Sequence, residues 1–218
     1  MSTTYLKIVR NIFMSIPHIR ILFLYTLLSF LTACDNNPED TVAGNSQIPT
    51  LKDAEMILSP AGVGPLNAKT TFNIHKITQA FAASPNRYHV EQIQKNTEAR
   101  NYTVIRISKN TDTLLLINPD AKQENIFSIL IKDRRIGNIL GHTLGMEYGA
   151  IYSYGHTEQC SIGKVELASK VLCYAPQSNN IIYLFSDRMS NKHILNNLPP
   201  ADALDGWKLE SIIWKPKP

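Results

Sequence analysis

No acidic residue occurs in the first 34 positions of this 218-residue chain, although 18 Asp and Glu follow. Cysteine is scarce as well: three residues, none in a Cys-x-x-Cys pair, which excludes a thioredoxin-type motif and a zinc finger. No apolar stretch reaches the roughly 20 residues that a membrane-spanning helix needs. The longest, Ile21 to Leu31, covers 11 positions and is bounded upstream by Arg20. Neither His-Glu-x-x-His nor Gly-x-Ser-x-Gly is present, so the zinc-protease helix and the serine-hydrolase elbow are both missing. Gly62-Val63-Gly64-Pro65 lacks the third glycine and the Lys-Ser/Thr of a phosphate loop and reads as a turn.

What is present is informative at the N-terminus. Lys7, Arg10 and Arg20 precede the apolar run and Leu31-Thr32-Ala33-Cys34 closes it, giving the basic, apolar, small-residue order of a secretory signal. The closing tetrapeptide resembles the lipobox of bacterial lipoproteins. That resemblance implies a signal peptide over 1–33, cleavage before Cys34, a diacylglyceryl group on its thiol and a further acyl chain such as palmitate on the new amine. Two or three acyl chains hold a protein on a bilayer far more firmly than one, which binds only marginally. Asp35, next to the lipidated cysteine, resembles the signal that retains such proteins on the periplasmic side of the inner membrane; outer-membrane anchoring is the alternative.

Cleavage changes the composition that the rest of the argument uses. The remaining length supports one domain with a sizeable core. Three of the 22 Lys and Arg leave with the signal, so 19 face 18 Asp and Glu, and no basic patch argues for nucleic acid. Lipidation consumes Cys34 and leaves Cys160 and Cys173 as the two thiols of a compartment that permits disulfides. Their pairing would close a loop of about 14 residues and restrict the unfolded chain by roughly 3 kcal/mol; two buried free thiols are the alternative.

Residues 34–55 form the lipidated terminus and a tether. Asp35 to Thr50 is rich in Asn, Asp, Pro, Gly, Ser and Thr and cannot bury enough surface to order itself. About 16 such residues reach on the order of 20–25 Å. The domain, 56–218, opens with Met56-Ile57-Leu58 and a turn over Ser59 to Pro65. Thr71 is placed to cap a helix whose apolar residues Phe72, Ile74, Ile77, Ala80 and Phe81 recur at helical spacing until Ser84-Pro85.

Beyond Pro85 the period changes. Tyr88 to Ile93, Tyr102 to Ser108, Thr113 to Asn118 and Asn125 to Lys132 read as strands, and the short Asn/Asp turns between successive runs predict an antiparallel meander. Met146 to Tyr152 is a helical candidate, Val171 to Tyr174 and Ile181 to Phe185 are two more strands, and Ala201 to Asp205 is a short helix before a last strand from Trp207 to Trp214. The fold class is α+β: a single domain with a mainly antiparallel sheet covered on one side by a few helices. Val63-Gly64 leading through Thr70 to one helix echoes Ile136-Gly137 leading through Thr143 to another, at an offset of 73. Two copies of a strand, turn, helix and strands unit would explain the echo; so would chance.

Candidate chemistry is dispersed. His142 and His156, with Glu147 and Glu158, lie in a glycine-punctuated region where a site could assemble in three dimensions, and Tyr148, Tyr152 and Tyr154 could floor a groove for a sugar or peptide. The competing reading is structural: hydrogen-bonding histidines and aromatics packed in a core. No spacing implies a cofactor or a metal.

Gly64-Pro65-Leu66, Ile117-Asn118-Pro119-Asp120, Gly141-His142-Thr143-Leu144-Gly145, Lys170-Val171-Leu172-Cys173 and Asn180 to Phe185 read together are similar to a family of bacterial envelope lipoproteins of unknown function. One class of its members is described as regulated by the envelope-stress sigma factor. The resemblance spans Met56 to Pro216 and implies a lipid-anchored protein facing the periplasm, leaning away from enzyme activity. It would bind an envelope protein or a cell-wall partner in stress maintenance. A small-ligand or glycan binder is the alternative, and an enzyme with a dispersed His/Glu site comes third.

Overall fold

The computed structural model describes residues 51–84, 86–96, 101–152, 159–187 and 194–217, all within the unit Gln47–Pro218. Cys34, Asp35, Tyr154, His156, Glu158 and His193 lie outside the described residues.

Two sheets build the fold. The smaller holds β1 (Met56–Ser59), β2 (Gly62–Val63), β3 (Leu66–Asn67) and β8 (Ile136–Asn138), in the order β3-β2-β1-β8. The segment expected to be only a turn thus contributes two short strands. Gly64 has φ of +55° and precedes Pro65, which lets the chain reverse between Val63 and Leu66 in two residues. Gly62 is required for a different reason: a Cβ there would lie 2.0 Å from the Leu66 carbonyl oxygen. β1 and β8 pair in parallel, and Glu55 N–H donates to Arg135 O at 2.9 Å, so the packed chain is already engaged just before Met56.

Helix α1 (Ile74–Ala82) is capped by Asn73, not Thr71. Asn73 Oδ1 accepts from His75 N at 3.0 Å and Lys76 N at 3.1 Å. Thr71 instead forms an isolated bridge with Asn125, which the helical period cannot reveal. Ile77 and Phe81 bury the apolar stripe of α1, and Phe81 meets Tyr88 edge-on at 5.4 Å.

The larger sheet contains β4 (His89–Asn96), β5 (Asn101–Lys109), β6 (Asp112–Pro119), β7 (Ile126–Ile131), β9 (Cys160–Ile162), β10 (Val171–Tyr174), β11 (Ile181–Ser186) and β12 (Lys208–Trp214). Its order, β4-β5-β6-β7-β12-β11-β10-β9, is two four-stranded meanders joined along β7 and β12. Each meander follows a helix and a strand of the small sheet: α1 precedes β4, and α2 (Tyr148–Ile151) precedes β9. α1 and α2 begin at Ile74 and Tyr148, close to the offset of the sequence echo, and the arrangement matches the repeated unit that would explain it. A third short helix, α3 (Ala201–Leu204), interrupts only the second copy.

α2 is shorter than the periodicity predicts because its first turn is diverted. Gly145 N–H donates to Leu209 O and Leu209 N–H to Met146 O, each at 2.8 Å.

One face of the large sheet is the core. Register aligns Ile105, Ile117, Ile129, Trp214 and Ile181 across five strands, and a second row runs Ile107, Leu115, Ile131, Ile212, Tyr183, Cys173 and Cys160. All but Cys160 are buried. Cys160 and Cys173 end the second row as direct cross-strand partners with Cα atoms 4.1 Å apart, and they form the disulfide. It ties the edge strand β9 to the sheet. The α+β class and the mainly antiparallel pairing are as the sequence predicts; the second, smaller sheet and its parallel β1–β8 pair are not.

Candidate functional site

Four regions bear on chemistry, and the first is the aromatic cluster. Tyr148 and Tyr152 do not floor an open groove: both are buried, with ring centroids 4.8 Å apart and 5.2 and 5.9 Å from Phe185. Tyr152 OH donates to Tyr174 O at 2.6 Å. Their spacing of four residues puts both on the side of α2 turned against the core.

His142 joins a buried polar network. Asn138 Nδ2 donates to Tyr183 OH at 2.9 Å and to His142 O at 3.0 Å, and His142 Nδ1 lies 2.9 Å from the same phenol oxygen. Tyr183 OH accepts from Asn138 and pairs with His142 Nδ1, donating to that nitrogen when it is unprotonated and accepting from it when it carries the proton. Burial holds the His142 pKa below its ordinary value, which favours the neutral imidazole, and pushes that of Tyr183 up to about 12, against a smaller opposing effect of the Asn138 hydrogen bond. The network satisfies a phenol inside the core and pins the glycine-bearing loop after β8. Glu147 is engaged elsewhere, accepting from Lys208 Nζ at 2.6 Å. No group of three or more His, Cys, Asp or Glu capable of holding a metal occurs among the described residues. Ser161 and Lys164 have Ser-x-x-Lys spacing, but both are exposed, without the buried base that would activate a serine.

A second depression, lined by Asp112, Lys132, Asp133 and Arg135, is an open ion-pair cluster. Arg135 Nε and Nη2 donate to the two oxygens of Asp133 at 2.8 and 2.7 Å, and Nη2 also reaches Asp112 Oδ2 at 2.8 Å. The Arg135 hydrogen bond holds the Asp133 carboxyl below its ordinary value. Arg135 satisfies both aspartates, and Lys132 faces Glu210 at 3.9 Å.

The fourth region is not one the sequence pointed to. The face of the large sheet opposite the core is itself apolar at its centre, where Leu116, Leu130, Ile213 and Ile182 stand opposite one another on β6, β7, β12 and β11 and Leu184 and Leu172 follow on β11 and β10. They line a groove of about 520 Å³ whose walls include Phe127 and Leu167 and whose rim carries Lys95, Lys215 and Glu166. Leu116, Leu130, Ile213 and Leu172 are only partly covered among the described residues. Phe127 is 53% exposed, with Lys215 Nζ 4.8 Å above its ring. An antiparallel sheet with one solvated face alternates apolar and polar residues. Ile181-Ile182-Tyr183-Leu184-Phe185, Leu114 to Ile117 and Ile212-Ile213-Trp214 do not alternate, and that unbroken apolarity was the available signal.

Fold and site therefore define an α+β protein with a core on one face of its main sheet and an apolar groove on the other. The chain belongs to the family described as a protein of unknown function, DUF1131, which matches residues 50–216. It is similar to the crystal structure of the uncharacterized protein YfeY from Escherichia coli, with 26% identity and a TM-score of 0.57 over 72% of this chain and 98% of that one. No curated protein matches it. The family is thus an uncharacterised bacterial one.

Proposed function

We propose that this protein is a lipid-anchored envelope protein that works by binding a small amphiphilic ligand in the groove on the second face of its large sheet. The groove carries the reading: about 520 Å³, aliphatic floor and polar rim are the size and chemistry of a small-molecule site. The anchor is supported by the basic, apolar and Leu31-Thr32-Ala33-Cys34 order of the N-terminus. Asp35 favours the periplasmic side of the inner membrane. A protein or cell-wall partner, the expectation from the anchor, the missing catalytic signature and the family resemblance, is less well served by a concave aliphatic floor.

Two measurements test the two halves of this reading. Mass spectrometry of the membrane-extracted protein should find Cys34 as an acylated N-terminus; a mature form starting elsewhere without acyl mass refutes the anchor. A photoactivatable benzoylphenylalanine replacing Leu130 in intact cells should capture a small molecule, whereas the same group at Ile139, 48% exposed and remote in the small sheet's connection, should not. A protein adduct at Leu130, or none, refutes the ligand reading.

A further inference from the structure

The groove is polar at one end. Trp214 pairs with Ile129 and Asn118 with Ser128, so Lys215 falls in line with Ser128 and Asn118, whose side chains are joined by a 3.2 Å hydrogen bond. Lys95 pairs with Tyr102 at the neighbouring end of the β4–β5 hairpin. Neither lysine has an ion-pair partner among the described residues. Away from this end the floor is aliphatic, ending on Leu184 and Leu172. Glu166, the carboxylate of the lining, belongs to the β9–β10 connection beside Leu167 and not to the lysine end.

Three ligand classes fail on this geometry. An extended peptide carries backbone donors and acceptors along its length, yet the groove floor is the face of paired strands whose own backbone groups are spent in the ladder. A glycan presents hydroxyls that an aliphatic floor cannot match. A cationic amphiphile would set like charge against Lys95 and Lys215.

Resting on the small-ligand reading above, we infer that the groove takes a long-chain fatty acid. The hydrocarbon chain lies over Leu116, Leu130 and Ile213 toward Leu172, and the carboxylate sits at the end of the groove that carries Lys215 beyond β12 and, four strands away on β4, Lys95. Burying the chain is favourable in proportion to the apolar area removed from water, and the anionic head supplies a counter-charge that the two ammonium groups do not find among the described residues.

The test uses the mature polypeptide from Asp35 to Pro218, secreted unacylated so that the Cys160–Cys173 bridge can form, and palmitate as the probe, read by native mass spectrometry and by displacement of a fluorescent fatty acid. Palmitate should bind as a single equivalent, and more tightly than hexadecyltrimethylammonium, which has the same chain and the opposite charge. Lys95→Gln with Lys215→Gln should weaken palmitate at least about tenfold and leave uncharged hexadecanol unchanged. Leu130→Gln should weaken both. Equal affinity of the double Gln variant for palmitate, or tighter binding of the cationic chain, overturns the proposal. If Leu130 captures a small molecule in cells and palmitate does not bind, the fatty-acid assignment falls alone; if neither result appears, the small-ligand reading falls with it.

Discussion

Ile129 and Leu130 are consecutive residues of β7, similar in size and hydrophobicity, on opposite faces of one sheet. Ile129 is fully buried in a row of side chains that the small sheet and α1 help to cover, whereas Leu130 lines a groove and stays partly open among the described residues. The difference lies in what the rest of the chain lays over each face, not in the residues. Apolarity along a strand marks a surface that must be covered; only topology says whether the cover is protein.

The sharpest way to break this comparison is to truncate both residues. Ile129→Ala removes closely packed core atoms and should cost about 2–5 kcal/mol in urea unfolding. Leu130→Ala should cost under about 1 kcal/mol, since water can already reach its site. Equal costs would mean that the second face is also core.

Polar groups extend the contrast. Tyr183→Phe removes one of the two acceptors of Asn138 Nδ2 and the partner of His142 Nδ1 and should cost about 1–3 kcal/mol. Ser128→Ala on the groove side removes the acceptor of Asn118 and should cost under about 1 kcal/mol, because that amide can turn to water. Thermal unfolding of both variants checks the order.

The smallest expected effect is in pH. Burial lowers the His142 pKa below its ordinary 6.5, so the unfolded chain takes up the proton first as pH falls. Its contribution to stability is therefore intact above about pH 6.5 and is lost progressively below it. Asp133, held low by Arg135, loses its contribution only in more acidic solution. Unfolding of the wild type should weaken between pH 7.5 and about 5.5 more steeply than that of His142→Gln; parallel curves would show that His142 is not buried neutral.

Strands were the most legible part of the sequence. Val171 to Tyr174 was bounded to the residue, and the first meander was recovered within two or three residues at each end, because β-branched runs separated by Asn/Asp turns specify local pairing. The Cys160–Cys173 pairing followed from counting thiols. What local pattern could not supply was long-range. Nothing in β1 or β8 alone says that they pair in parallel, and nothing around Thr71 says that Asn125 will claim it in place of a helix. The groove escaped notice because an apolar strand run is the same text whether its second face meets protein or ligand. Tyr148 and Tyr152 erred the other way: aromatic spacing suggested a platform, and α2 turned it inward.

The seam between the two meanders sets an order of events in time. β7 is finished when Ile131 is made, but its partner β12 comes last among the described strands, at Lys208–Trp214. Until Ile212 to Trp214 arrive, the inner edge of the first meander is a row of unpaired amides and carbonyls beside an apolar surface, the geometry that recruits another chain. Synthesis runs from the N-terminus, so the hazard persists for the whole interval in which residues 132–214 are delivered. A chain interrupted anywhere in that interval would hold a sticky half-sheet rather than a smaller version of the protein.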